Sequence, residues 1–178
     1  YVKYMVASEE NEPADGWPYD DVLRTLVANP KMSTAELAAQ IVALYVNSYQ
    51  SYSGAITQTA LDVEKMTDIA APLDELSDVL TEHMEQMQTL IWKAQRSSAS
   101  FWHFTLWDIA DFCGRLEGLT EQKIEDREIK EAVTQAIQRV CSALETGENK
   151  LTIAEAHQGA KVERCGGTTI YLPSTPNI

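Results

Sequence analysis

Tyr1-Val-Lys-Tyr-Met-Val-Ala-Ser8, followed by Glu9-Glu-Asn-Glu-Pro-Ala-Asp-Gly-Trp17-Pro-Tyr-Asp20, opens the chain and changes character halfway. In the first part Val2, Tyr4 and Val6 alternate with Lys3, Met5 and Ala7, and only Lys3 is charged. β-branched and aromatic side chains in that pattern suit a strand buried on much of both faces, as in a parallel sheet. The second part brings Glu9, Glu10, Glu12 and Asp15, then Gly16 and Trp17. Open α/β sheets hold their ligands in loops at the carboxyl ends of buried strands. The loop therefore reads either as the wall of a site for a cationic group or as a solvated strand-to-helix turn.

Beyond the loop, Pro18 suits a first helical turn, where its missing N–H is not needed. Val22, Leu23, Leu26 and Val27 then form a helical apolar stripe, stopped at Asn29-Pro30. Ser33 with Glu36 three residues on reads as a capping box. The helix it starts carries Leu37, Ile41, Leu44 and Tyr45 on one face. Residues 56–61, rich in Ile and Thr, predict a strand, and Asp62 or Thr67 a further helix start. Leu73, Leu76, Leu80, Met84, Met87 and Ile91 define one face of a long amphipathic helix within 72–96, a possible insertion standing on the sheet. Trp102, Phe104 and Trp107 read as an anchor for the short helix 108–116, and 117–128 as a polar loop. Ile129, Val133, Ile137, Val140 and Leu144 make another amphipathic helix, with Gly147 as its C-cap. Residues 151–156 and 168–172 read as strands with a turn at Cys165-Gly-Gly167, and 173–178 as a tail. Strands alternating with amphipathic helices indicate one α/β domain over 1–178.

The 178 residues suit a single domain with a proper core. A net charge of -13 argues against nucleic acid and anionic membranes and is compatible with basic peptides or cations. No apolar run reaches the length of a membrane span. The chain opens at Tyr1 inside what reads as a strand, without initiator Met or signal peptide, so a fragment or processed product is expected.

Chemistry is harder to find. Cys113, Cys141 and Cys165 show no CxxC spacing, so zinc and redox motifs are unsupported. Cys113 and Cys141 fall in amphipathic helices, where a thiol is usually structural. His83, His103 and His157 stand isolated, and His157 is the best-placed base among them. Glu9, Glu10, Glu12 and Asp15 do not fit a twelve-residue calcium loop. They remain available as oxygen ligands, which leaves calcium open as a cofactor. A phosphate-binding glycine loop is lacking.

The run Tyr4-Met-Val-Ala-Ser-Glu-Glu-Asn-Glu-Pro-Ala-Asp-Gly-Trp-Pro-Tyr19 resembles the segment after the catalytic cysteine in the clostripain family of cysteine peptidases. Thr59-Ala-Leu-Asp62 and Gly167-Thr-Thr-Ile-Tyr-Leu-Pro173 resemble two later strands of that family, and 108–112 more loosely a helix. The resemblance implies a caspase-like sheet flanked by helices and cleavage of basic peptide or protein substrates after Arg or Lys. It also implies a Cys–His dyad, and neither dyad motif occurs here. The first half of the fold, with the dyad, is then expected to be a partner supplied from elsewhere, and this chain alone inactive. By position in the motif Asp15 is the first choice for an acid facing a P1 cation, with Glu10 and Glu12 behind it and Trp17 as pocket side or lid. A bacterial, extracytoplasmic or secreted location is implied by the resemblance only. The contrasting expectation is a non-enzymatic acidic binding module that kept the fold and lost the dyad.

Overall fold

β1 (Tyr4–Ala7) is the edge of a three-stranded antiparallel sheet in the computed structural model of the chain, which describes residues 2–101, 105–147 and 149–172. The helices α1 (Tyr19–Ala28) and α2 (Thr34–Ser48) follow. β2 (Ile56–Asp62) then returns antiparallel to β1, with Tyr4 opposite Asp62 and Ala7 opposite Thr59. The parallel arrangement expected for the opening strand is thus corrected. Every residue of β2 is buried, as befits the central strand, whereas Met5 of β1 is 44% exposed. The apolar alternation of β1 marks two faces, but only the Val6 face is packed, against Ala38, Val42 and Ala60.

A 3-10 turn (Val63–Ile69) starts at Asp62, whose carboxylate accepts from Glu64 N. The single long helix expected within 72–96 is two helices, α3 (Ala70–Glu82) and α4 (Met84–Ser97). The chain breaks at His83, where φ/ψ leaves the helical region at -106/28. β3 (Ser100–Phe101) and β4 (Leu106–Asp108) lead into α5 (Ile109–Lys123). This helix takes in part of the stretch expected as loop, because Leu, Thr, Glu, Gln and Lys are adequate helix formers. Trp102, His103 and Phe104 lie outside the described residues, as do 173–178. Asp126 caps α6 (Arg127–Leu144) by accepting from Glu128 N and Ile129 N. Gly147 is not its C-cap: its N–H donates to Thr152 O and starts the next strand instead.

β5 (Thr152–Gln158) pairs with β2 and completes the first sheet, order β1-β2-β5. β6 (Thr169–Tyr171) joins a second antiparallel sheet, order β3-β4-β6. The last two strands therefore belong to different sheets. The chain is a mixed α/β structure with its main core among α3, α4, α5 and α6, including Leu76, Met87, Leu116, Val133 and Ile137. The α2 face that packs on the first sheet carries Ala38, Val42 and Tyr45, one position round from the expected stripe. Two small residues (Ala38 and Ala60) meet there and permit close approach of helix and sheet.

Candidate functional site

The loop after β1 is built from its first residue. Thr57 of β2 is fully buried and its Oγ1 accepts from Glu9 N at 3.0 Å and Glu10 N at 3.1 Å. Ser8 Oγ lies 2.9 Å from the same oxygen. With both lone pairs of Thr57 occupied, its own proton goes to Ser8. Further on, Gly16 N donates to Pro13 O and closes a turn. Gly16 has φ +75, a left-handed conformation that glycine adopts without the Cβ penalty. Tyr49 from the end of α2 donates its hydroxyl to Gly16 O at 2.6 Å.

These ties shape a hollow of about 390 Å³ lined by Asp15, Trp17, Tyr49 and Tyr52 among others. The aromatic rings run in sequence, Trp17 to Tyr45 at 6.1 Å, Tyr45 to Tyr49 at 5.1 Å and Tyr49 to Tyr52 at 5.9 Å between centroids. Burial raises the Tyr49 phenol, and Asp15 and Glu12 raise it further, so it stays a donor. Asp15 is exposed.

The four residues singled out from the sequence do not act as one group. Asp15 and Trp17 share the hollow. Glu12 accepts from Trp17 Nε1 at 2.9 Å and so fixes the indole. Glu10 pairs with Lys161 Nζ at 2.5 Å. Burial works against the Glu10 carboxylate, but Lys161 and the Asn11 N–H outweigh it and hold the group low. Glu9 turns inward.

There it meets a second acidic centre, made of residues not singled out from the sequence. Asp108 is the N-cap of α5 and Asp111 stands in its first turn, both buried. Asp108 accepts from Asp111 N at 2.7 Å, Gly166 N at 2.8 Å and Gly167 N at 3.2 Å. Asp111 accepts from Ala99 N, Arg115 Nε and Arg164 Nε. The turn 164–167 is thereby held against α5 from both sides. Gly167, at φ +81, sits so close to β2 that a Cβ there would overlap Thr59 Oγ1. The capping pattern Asp108-x-x-Asp111 was the available signal for this centre.

Glu9, Asp108 and Cys165 place one ligand atom each within 4.8 Å of one another. A thiol raised by burial and by the carboxylates around it suits neither a hard oxygen-seeking cation nor nucleophilic attack. The four loop acids diverge and do not form a shared oxygen cage. His157 Nδ1 lies 2.8 Å from Glu155, not paired with a thiol. Cys113 is raised first by its bond to Cys141 and then by burial.

The architecture is a mixed α/β fold whose opening strand ends in this acidic, Trp-bearing loop. The family model for the clostripain family matches residues 1–177, and the chain belongs to that family of cysteine peptidases. A solved structure, that of an inactive zymogen C11 protease from Parabacteroides distasonis, is similar in fold, with a TM-score of 0.53 and 16% identity. The match covers 96% of this chain and 46% of that one, so the chain spans under half the length of its structural relative. No curated protein matches it.

Proposed function

We propose that this chain is the later part of a cysteine endopeptidase that cleaves after Arg or Lys, and that the loop 9–17 is one wall of the pocket for that side chain. The observation that carries this is the hollow joining Asp15 to aromatic faces. A cation entering it gains a carboxylate partner and the rings of Trp17 and Tyr49. Asp15 is the acid facing the substrate and Trp17 the side of the pocket. Glu12 orients Trp17, and Glu10, bound to Lys161, anchors the loop rather than the substrate.

The dyad comes from the other part of the fold: Cys113 and Cys165 are held protonated, the lowered Cys141 is engaged by Cys113, and His157 pairs with Glu155. A partner surface supports this reading. Val2, Met5, Tyr19, Leu23 and Val27 are all large, apolar and exposed, and all lie in β1, α1 or their flanks. In this reading these exposed apolar side chains are the ones that the rest of the protein covers. Location outside the cytoplasm is part of the proposal on family likeness alone.

The test uses the complete gene product containing this chain and fluorogenic peptides ending in Arg or Lys. Asp15→Asn is expected to lower kcat/KM on them by roughly tenfold to a hundredfold, the loss of one charged hydrogen bond. Unchanged kcat/KM would remove Asp15 from the pocket. Absence of any such cleavage by the unaltered product favours the acidic binding module.

A further inference from the structure

Glu9 is the acid of the opening loop that the pocket leaves unused. Its two carboxyl oxygens are shut off from solvent and make no hydrogen bond of ordinary geometry among the described residues, with the Gly167 N–H turned towards them but bonded to Asp108. Its N–H is fixed on Thr57 Oγ1, so swinging the side chain out breaks the anchor of the loop. The groups that face it come from three elements. Asp108 caps α5, Glu155 lies on β5 and is hydrogen-bonded to His157, and Cys165 lies in the turn before β6. No cation pairs with Glu9 among the described residues. The nearby guanidiniums of Arg115 and Arg164 are both taken by Asp111, and Lys161 is taken by Glu10.

Two carboxyls this close in a buried place do not both ionise. Asp108 accepts N–H bonds from Asp111, Gly166 and Gly167, whereas Glu9 has only the Gly167 N–H, shared with Asp108, turned towards it, so the negative charge belongs on Asp108 and the proton on Glu9. We propose that Glu9 is a positioning residue: a neutral carboxylic acid that donates its proton to Asp108 and ties the start of the pocket wall to the turn at Gly166 and Gly167. The proposal rests on the loop 9–17 being that wall.

Burial first, then Asp108 and Glu155, push Glu9 up to about 9 from an ordinary 4.5. Below that pH the tie holds. Above it an ionised Glu9 faces Asp108 and Glu155 without a partner, and the loop is forced away. The folded state binds a proton that the unfolded chain releases. Stability from this group is therefore complete below about 4.5 and falls as pH rises towards 9.

The experiment compares the complete gene product with its Glu9→Gln and Glu155→Gln variants. Glutamine keeps a donor towards Asp108 and has nothing to ionise. For the unaltered protein, kcat/KM on Arg or Lys peptides is expected to fall about tenfold per pH unit above pH 9. E9Q is expected to lack that fall, its rate staying level from neutral to alkaline pH. E155Q, which removes one facing charge, should move the fall to lower pH. The midpoint of thermal unfolding should drop between pH 5 and 9 in the unaltered protein and much less in E9Q. An E9Q variant inactive at neutral pH, or one with the same alkaline fall and the same pH slope of unfolding, overturns the proposal. If no Arg or Lys peptide is cleaved at all, the wall reading fails, while the unfolding comparison still decides the state of Glu9. Should E9Q not fold, an unmoved fall in E155Q overturns the proposal by itself.

Discussion

One hydroxyl carries the start of the acidic loop. Thr57 Oγ1 takes the N–H groups of Glu9 and Glu10 and gives its proton to Ser8, all at 2.9–3.1 Å. Valine has the same shape and none of this capacity. Thr57→Val strands two amides and a hydroxyl at once, and should destabilise by about 1–3 kcal/mol. Urea unfolding is expected to show a lower midpoint with an unchanged slope, and Thr57→Ser should recover most of the loss. A midpoint equal to that of the unaltered protein would mean that water replaces Thr57 at no penalty. The same scale explains why Cys165 is quiet. Its thiol is buried and surrounded by Asp108, Glu9, Asp111 and Glu155, so the thiolate is disfavoured.

Among the elements, those with local signals were legible in the sequence. The capping box of Ser33 and Glu36 is formed, with Ser33 N donating to Glu36 Oε2 at 2.7 Å and Glu36 N to Ser33 Oγ at 3.2 Å. The Ile and Thr run of β2 and the Ile129-to-Leu144 stripe of α6 also form as their periodicity indicates. What failed depended on distant partners. Nothing at His83 announces a break, since neither Gly nor Pro interrupts the stripe from Leu73 to Ile91. On that stripe Met87 is fully buried and Met84 is 42% exposed, although a continuous helix would put both on one face. Met87→Ala should therefore cost about 2–5 kcal/mol and Met84→Ala less than about 0.5. Equal losses in chemical denaturation would speak for one unbroken helix. The candidate site divides in the same way. Asp15, Trp17, Glu10 and Glu12 were visible as a composition change after β1. The inward turn of Glu9 was not, because Asp108 and Glu155 reach it only through the fold.

In the whole molecule, the two small sheets meet where the loop after β1, the first turn of α5 and the turn 164–167 come together. Each of the three is anchored by a stretch remote in sequence: Glu9 and Glu10 by Thr57, Glu10 by Lys161, Gly16 by Tyr49, Gly166 by Asp108. Chain continuity is thus not what keeps the acidic loop in place. The link between α1 and α2 carries an exposed Lys31, open to a trypsin-like protease. A cut after Lys31 separates β1, the acidic loop and α1 from the rest as a covalent piece, yet leaves the β1–β2 ladder and every anchor just named intact. The nicked protein is expected to run as two bands on a denaturing gel and as one species in gel filtration, with its Trp fluorescence unchanged. Separation of the pieces under native conditions would show that the backbone, not the anchors, holds the loop. If they stay together, the loop behaves as a docked peptide that happens to be covalently attached, and could be supplied or exchanged in trans.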